Sequence, residues 1–239
     1  MSIEANQIIR SKRKTLALII KPDGALIVRA PLRISEKAIK EFVEKNREWI
    51  RKKRAELLTI TPPSPKQFIA GETFMYLGNS YPLELMKNQS KLLLLEETFR
   101  LDEGIQNEAK STFERWYREQ ARKVLTERVD LYAKQHGLSY KKIRITSART
   151  RWGSCSSSGS LSFSWRLIMA PLAVVDYVII HELVHTIVHN HSKRFWNKVA
   201  KIMPDYKARR KWLRVNGQTL ILWDQHLSNE PIVHERGFF

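Results

Sequence analysis

Cysteine is nearly absent from this sequence, because Cys155 is the only one among 239 residues. A single thiol excludes an intrachain disulfide and favours a reducing, cytoplasmic setting. No run approaches the roughly 20 apolar residues of a membrane helix, so no membrane-spanning segment is expected. The first residues, Met1 to Ile9, lack the apolar core of a signal peptide, so export is not expected either.

Acidic residues are scarce relative to basic ones. The chain has 24 Asp and Glu against 42 Lys and Arg, which gives a formal net charge of +18. Part of the excess lies in residues 193–214, where nine basic residues accompany one acid, Asp205. Such a field attracts anionic partners: nucleic acid, nucleotides, acidic membranes or acidic proteins. The alternative interpretation is a solvated surface that only keeps the protein soluble. The sequence has no P-loop and no helix-turn-helix, RRM or zinc-finger pattern, so no standard module for such a partner is predicted.

The order of helix and strand signals along the chain predicts an α+β fold. Two apolar runs flank Pro22-Asp23-Gly24 and predict a β-hairpin, and the prolines between Thr61 and Pro65 predict a linker. A long helix is expected to end at Gly137, and Ala170-Pro171 opens an apolar helix. The other predicted elements are strands at 72–77, 81–86 and 91–95, strands between 143 and 169, and helices at 36–58, 108–136 and from Ser192 to about Met203.

The segment His181-Glu182-Leu183-Val184-His185 carries the strongest chemical signal in the sequence. Histidines four residues apart on a helix are separated by about 40° around the axis and about 6 Å along it, so both rings reach one ion. Neutral imidazoles bind zinc well, and three protein ligands leave a fourth position for water. Glu182 lies at the edge of the same face, where its carboxylate can take a proton from zinc-bound water with a pKa of about 7. The pattern predicts a zinc-dependent hydrolase with one Zn²⁺ per chain.

A third ligand is expected downstream of this helix. His189 lies about 12 Å along the helix from His181, too far to converge on the same ion, and it is expected to line the cleft or orient a ligand. His191 converges only if the chain turns before it, and Asn190 tolerates the left-handed conformation that such a turn requires. We therefore expect the helix to end at Val188 or His189 and His191 to complete the site. The other downstream candidates are His226 and His234.

The sequence resembles the YgjP-like metal-dependent hydrolases, which are zincin-fold, metallopeptidase-like proteins. The resemblance covers most of the chain as far as about Leu213. The residues that carry it are Arg151 to Cys155, the strand Leu161–Leu167, Ala170-Pro171, His181 to His185, Asn190-His191-Ser192, and Phe195-Trp196.

The resemblance implies His181, His185 and His191 as metal ligands and Glu182 as the catalytic acidic residue, which acts as the general base. It also implies a twisted, largely antiparallel sheet over an active-site helix, and the strand at Leu161–Ser164 is expected to be the edge that borders the cleft. The ligand spacing is similar to that of metzincins, which carry glycine where this chain has Val188, and to that of SprT-like DNA–protein crosslink proteases. The expected domains are an N-terminal strand-rich region with one helix (1–100), the metal-binding catalytic domain (101–216) and a C-terminal tail (217–239).

Three functions are compatible with these patterns. A metallopeptidase would cleave peptides with Glu182-assisted water, and a nucleoside triphosphate pyrophosphatase would use Lys193, Arg194 and Lys198 to bind an anionic substrate. The missing P-loop and the histidine ligands disfavour the second, since magnesium with oxygen ligands is usual for triphosphates. The third is a basic nucleic-acid-associated protease or binding module, which the charge permits.

Two further roles stay open at this stage. The group that stabilises the transition state could be any of four residues: Arg149, Arg151, Tyr177 and His189. Cys155 could act as a nucleophile, but a lone cysteine without an identified base is more often a small buried residue.

Overall fold

The computed structural model of the chain describes residues 4–21, 24–59, 66–88 and 91–222. Pro22 and Asp23 of the predicted hairpin turn, the linker at 61–65 and residues 223–239 of the predicted tail lie outside the described residues. The chain divides into two compact units, and the division falls after Pro62. This boundary differs from the one expected at residue 100, because the strands between 73 and 102 pack with the second unit.

The first unit is a small sheet with two helices. β2 and β3 form the predicted hairpin, and β1 pairs with β3 in parallel, which gives the strand order β1-β3-β2. The apolar runs form β2 and β3, whose side chains pack with Ile39, Val43 and Ile50 of the helices in one core. The elements are β1 (Gln7–Ser11), β2 (Ala17–Ile20), β3 (Leu26–Pro31), α1 (Glu36–Lys45) and α2 (Arg47–Thr59).

The single helix predicted for residues 36–58 is interrupted at Asn46. Ser35 caps α1 as expected, since its hydroxyl accepts a hydrogen bond from the backbone N–H of Ala38 at 3.2 Å. Asn46 has non-helical backbone angles (φ −106°, ψ 14°), and its side-chain amide donates to the carbonyl of Phe42 at 2.7 Å. This bond offers the backbone an alternative to the continuous helix, which the apolar stripe alone does not reveal.

The second unit begins with a four-stranded sheet in the order β4-β5-β7-β6. The turn between β4 and β5 has positive φ at Leu77 (48°) and Gly78 (88°), as a tight hairpin turn requires. The N–H groups of these two residues donate to the carbonyls of Ile168 and Met169, at 2.8 and 3.2 Å. These two hydrogen bonds hold Ile168 and Met169, which lead into the helix at Leu172–His185. The strands are β4 (Thr73–Tyr76), β5 (Asn79–Met86), β6 (Leu93–Leu95) and β7 (Thr98–Asp102).

A second sheet and four helices complete this unit. β10 is the central strand of the order β8-β10-β9, parallel to β8 and antiparallel to β9. The expectation that Leu161–Ser164 forms the edge is therefore wrong, because β10 forms backbone hydrogen bonds on both sides and β9 is the edge next to α4. Residues Trp165–Met169 form a buried 3₁₀ turn instead of continuing the strand. The elements are α3 (Ala109–His136), β8 (Lys142–Thr146), β9 (Gly153–Cys155), β10 (Ser160–Ser164), α4 (Leu172–His185), α5 (Lys193–Ile202) and α6 (Tyr206–Leu222).

The mixture of helices and open sheets confirms the predicted α+β class. Each of the three sheets in the described ranges contains one parallel pair of strands beside its antiparallel pairing. α4 is the helix predicted after Ala170-Pro171, and every residue from Val174 to Val184 is buried. A helix that is apolar on all sides belongs inside a core. No helix within the described ranges is both long and apolar enough to span a membrane.

The buried helix α4 carries one charged pair to its neighbour α3. Arg128 donates from Nε and Nη2 to both carboxylate oxygens of Asp176, at 2.7 and 2.5 Å. The Asp176 side chain is 8% exposed and that of Arg128 is 26% exposed. Removing one partner of such a buried ion pair strongly lowers the stability of the folded protein, because the other charge is left buried without a countercharge.

We expect Arg128→Met to lower the free energy of unfolding by about 2–4 kcal/mol, since Asp176 would lose its countercharge. Chemical denaturation of the purified variant measures this. Glu114→Gln is the matched control, because it removes the half-exposed pair of Glu114 with Arg118 on the same helix. Its cost should stay below about 1 kcal/mol, and equal losses for the two variants would contradict the assignment.

Candidate metal centre

Three histidine rings converge in the second unit. The Nε2 atoms of His181 and His185, one turn apart on α4, lie 3.2 Å from each other. The Nε2 atom of His191, which follows the helix, lies 3.0 Å from that of His181 and 3.1 Å from that of His185. These are the three residues expected from the sequence.

The spacing of these nitrogens fits a small cation. Tetrahedral zinc with bonds of about 2.0–2.1 Å places its nitrogen ligands about 3.3–3.4 Å apart. The observed separations are within about 0.4 Å of that figure, and all three donors are imidazole nitrogens, which zinc prefers to oxygen. The residues present therefore fit a zinc ion.

The end of α4 orients the second histidine. The helix ends at His185, and the chain turns back through hydrogen bonds from Ile187 and Val188 to the carbonyl of Val184. The carbonyl of Val188 then lies 3.0 Å from Nδ1 of His185. A proton on Nδ1 leaves the lone pair of Nε2 directed at the other two rings, which is the tautomer that a metal ligand needs.

The turn before His191 differs from the predicted one in two respects. α4 ends three residues before Val188, and Asn190 does not adopt the left-handed conformation. Instead the side-chain oxygen of Asn190 accepts a hydrogen bond from the N–H of Ser192 at 3.3 Å, ahead of α5. The reversal is thus spread over the residues from 186 to 190, and a single strained residue is not required.

Burial sets the charge state of the histidines. Desolvation is the main cause that lowers the pKa of all three rings, and for His181 the pKa falls to about 2. The neighbouring imidazoles and Arg210 lower the pKa of His181 and His191 further. The rings are neutral at pH 7, and neutral imidazole is the form that binds metal.

Glu182 directly follows His181 in α4, and its side chain lies against the edge strand β9. Its side chain is buried, and a Cβ atom placed on Gly153 would lie only 2.6 Å from Cγ and Oε1 of Glu182. Burial raises the pKa of Glu182 to about 8, and the charge of Arg151 acts in the opposite direction.

Gly153 is a site residue that sequence reasoning missed. Its only signal was its place inside the string Arg151 to Cys155, which gives no indication of a contact with the helix.

The other candidates from the sequence are not among the three converging rings, although the ring of Tyr177 meets that of His181 edge-on at 6.0 Å. Lys193, Arg194 and Lys198 are exposed on α5, whose buried face carries Phe195 and Val199. His189 is exposed, Tyr177 is fully buried, and Arg149 is half-buried. Burial and the charge of Glu182 raise the pKa of the Cys155 thiol to about 11, which disfavours the reactive thiolate.

Comparison with known families agrees with this geometry. Residues 14–216 match the family described as YgjP-like, metallopeptidase domain. This chain belongs to the YgjP-like metallopeptidase family. It is accordingly a metal-dependent hydrolase of the metallopeptidase type, and the resemblance found in the sequence is confirmed.

Solved structures and curated proteins show less similarity to this chain than the family model does. One solved structure with some similarity to this YgjP-like chain is that of the metallopeptidase zymogen abylysin of Pyrococcus abyssi. It has 20% sequence identity and a TM-score of 0.35, and it covers 39% of this chain and 93% of the other. No curated protein matches the chain.

We expect His181→Ala, His185→Ala and His191→Ala each to lose bound zinc, because each removes one of three converging nitrogens. Elemental analysis of the wild type should find about one zinc per chain. His189→Ala is the matched control, since it removes an exposed neighbouring imidazole and should retain the metal. Zinc that persists in all three variants would show that these rings are not the ligands.

Proposed function

We propose that this protein is a zinc-dependent metallopeptidase in which His181, His185 and His191 hold one zinc ion and Glu182 is the general base. The observation that carries the proposal is the convergence of three Nε2 atoms within 3.2 Å of one another, one residue from a buried carboxylate. A zinc ion on three imidazoles keeps an open position, polarises a carbonyl group and lowers the pKa of a water molecule.

Glu182 supplies the proton transfer in this proposal. Peptide hydrolysis requires a group that takes a proton from the attacking water and delivers it to the leaving amine. A carboxyl whose pKa is raised to about 8 by burial serves both steps near neutral pH. A cation at the histidines favours the carboxylate form, which lowers this pKa and prepares Glu182 to act as a base.

The edge strand β9 supports a peptide as the substrate. β9 pairs with β10 on one side, and no other described strand pairs with its outer edge. An extended peptide can add to such an edge through backbone hydrogen bonds. Because Gly153 of β9 lies against Glu182, a peptide bound there would pass next to the proposed base.

No observation favours a nucleotide substrate or a nucleic-acid partner to the same degree. Lys193, Arg194 and Lys198 face solvent on α5, and the three proposed ligands are nitrogens, which suit zinc better than the magnesium usual for triphosphates. The family match also favours a peptide. The cytoplasmic setting inferred from the single cysteine stays a prediction.

We expect Glu182→Gln to reduce peptide hydrolysis by roughly 10²- to 10⁴-fold while the zinc content stays unchanged. Glutamine keeps the size of the side chain but cannot accept the proton. Cleavage of a labelled denatured protein and elemental analysis of the same sample measure both properties. Glu119→Gln on the exposed face of α3 is the control and should keep wild-type activity. Full activity in Glu182→Gln would exclude Glu182 as the base.

We expect Gly153→Ala to reduce hydrolysis by at least about tenfold, because the new methyl group would displace Glu182 from its position. Zinc content should stay at the wild-type level, since the three atoms nearest to the new methyl group all belong to Glu182. Ser154→Ala in the same strand is the control for altering β9 without this clash. Unchanged hydrolysis in Gly153→Ala would mean that the position of Glu182 beside β9 is not needed.

A further inference from the structure

His191 is held differently from the other two histidines of the cluster. His181 and His185 lie on α4, and the backbone carbonyl of Val188 orients the ring of His185. His191 follows the helix on an exposed stretch of chain. Within the described ranges its hydrogen-bonding contacts involve only Nε2 and the other two histidines. Its ring plane must therefore be set by packing.

Trp196 is the packing partner that lies parallel to this ring. The two ring centroids are 5.7 Å apart with an interplanar angle of 24°, whereas Phe195 meets the His191 ring edge-on at 4.9 Å. A stacked partner restrains the plane of an imidazole, and so it restrains the direction of its nitrogen lone pair. Trp196 lies on α5, whose buried face anchors the indole next to the histidines.

Two residues of α6 hold the indole in turn. The guanidinium carbon of Arg210 lies 4.8 Å from the centre of the Trp196 ring, and the ring of Tyr206 stacks on the same indole at 5.4 Å and 18°. Tyr206 and Arg210 are four residues apart, so they project from the same side of α6. Tyr206 also stacks on Tyr177 of α4 at 6.5 Å. The indole is thus connected to the helix that carries the first two histidines.

We propose that Arg210 and Trp196 are positioning residues for the third metal ligand: the guanidinium holds the indole, and the indole holds the plane of the His191 ring. The inference rests on the proposed function, because His191 is a ligand only if the site binds a metal. Arg210 lies on α6, outside the motif from His181 to His191, so a residue beyond the motif would act on the metal site.

Removal of Arg210 changes zinc binding in opposite directions depending on whether the residue acts by positioning Trp196 or through its charge alone. The charge of Arg210 acts on the cluster, where it lowers the pKa of His181 and His191. The same positive charge repels a divalent cation. If Arg210 acted through its charge alone, its removal would strengthen zinc binding. If it acts by holding Trp196, its removal weakens zinc binding.

The experiment measures zinc dissociation constants by competition with a chelating indicator, on the full chain. Arg210→Met should weaken zinc binding about 3- to 30-fold, the range of one cation–π contact. Trp196→Leu should weaken it about 10- to 100-fold, as for other residues that orient a ligand. Arg210→Lys keeps a cation over the ring and should recover most of the affinity, and Trp196→Phe keeps a stacked face and should lose less than Trp196→Leu.

Two controls isolate the contact from general effects. Lys211→Met removes one positive charge from an exposed position of the same helix and should bind zinc within about threefold of wild type. The double variant of Arg210→Met with Trp196→Leu should bind no more weakly than Trp196→Leu alone, because the arginine acts through the indole. The visible spectrum of the cobalt-substituted protein should change in Trp196→Leu and Arg210→Met, and should not change in Lys211→Met.

The outcomes are distinct. Zinc binding by Arg210→Met that equals or exceeds wild type would overturn the inference, and so would fully additive losses in the double variant. A wild-type protein that binds no zinc would overturn the proposed metal site itself. Tight zinc binding by the wild type together with the ordered losses above would support both.

Discussion

The burial of α4 is the constraint on which the rest of the second unit depends. Its residues from Val174 to Val184 are all buried, so the helix is packed on every side by its neighbours. Two chemically active side chains, His181 and Glu182, lie in this buried stretch. Desolvation disfavours the charged form of each group, which explains why the pKa of the imidazole falls and that of the carboxyl rises.

This burial of polar groups has an energetic consequence for the metal centre. Asp176, the other charged residue of α4, is compensated by two hydrogen bonds from Arg128. The three converging imidazoles are partly or fully buried polar groups, and their Nε2 atoms face one another at distances that suit a shared cation. Functional sites commonly contain buried polar groups that lower the stability of the fold. A cation bound by the three histidines would offset that loss of stability here.

Two short segments decide how the reactive side chains are oriented. At the end of α4 the chain turns so that the carbonyl of Val188 reaches Nδ1 of His185. At the sheet edge, the absence of a side chain at Gly153 allows β9 to approach Glu182. Neither feature alters the spacing of the histidines in the sequence, yet each constrains the orientation of a side chain that the proposed mechanism uses.

The sequence alone determined the identity of the clustered histidines, the buried helix that carries two of them and the α+β class, because four-residue spacing and apolar composition are local properties. It did not determine the break at Asn46, the central place of β10 or the helix end at His185. The break at Asn46 and the helix end at His185 depend on hydrogen bonds from side chains to nearby backbone carbonyls, which compete with a continued helix. The central place of β10 depends on its pairing with both β8 and β9. The contact of Gly153 with Glu182 and the stacking of Arg210 on Trp196 were decided only by the tertiary structure. Each joins residues separated by at least 14 positions, and no periodicity within one element records which strand or helix will pack against another.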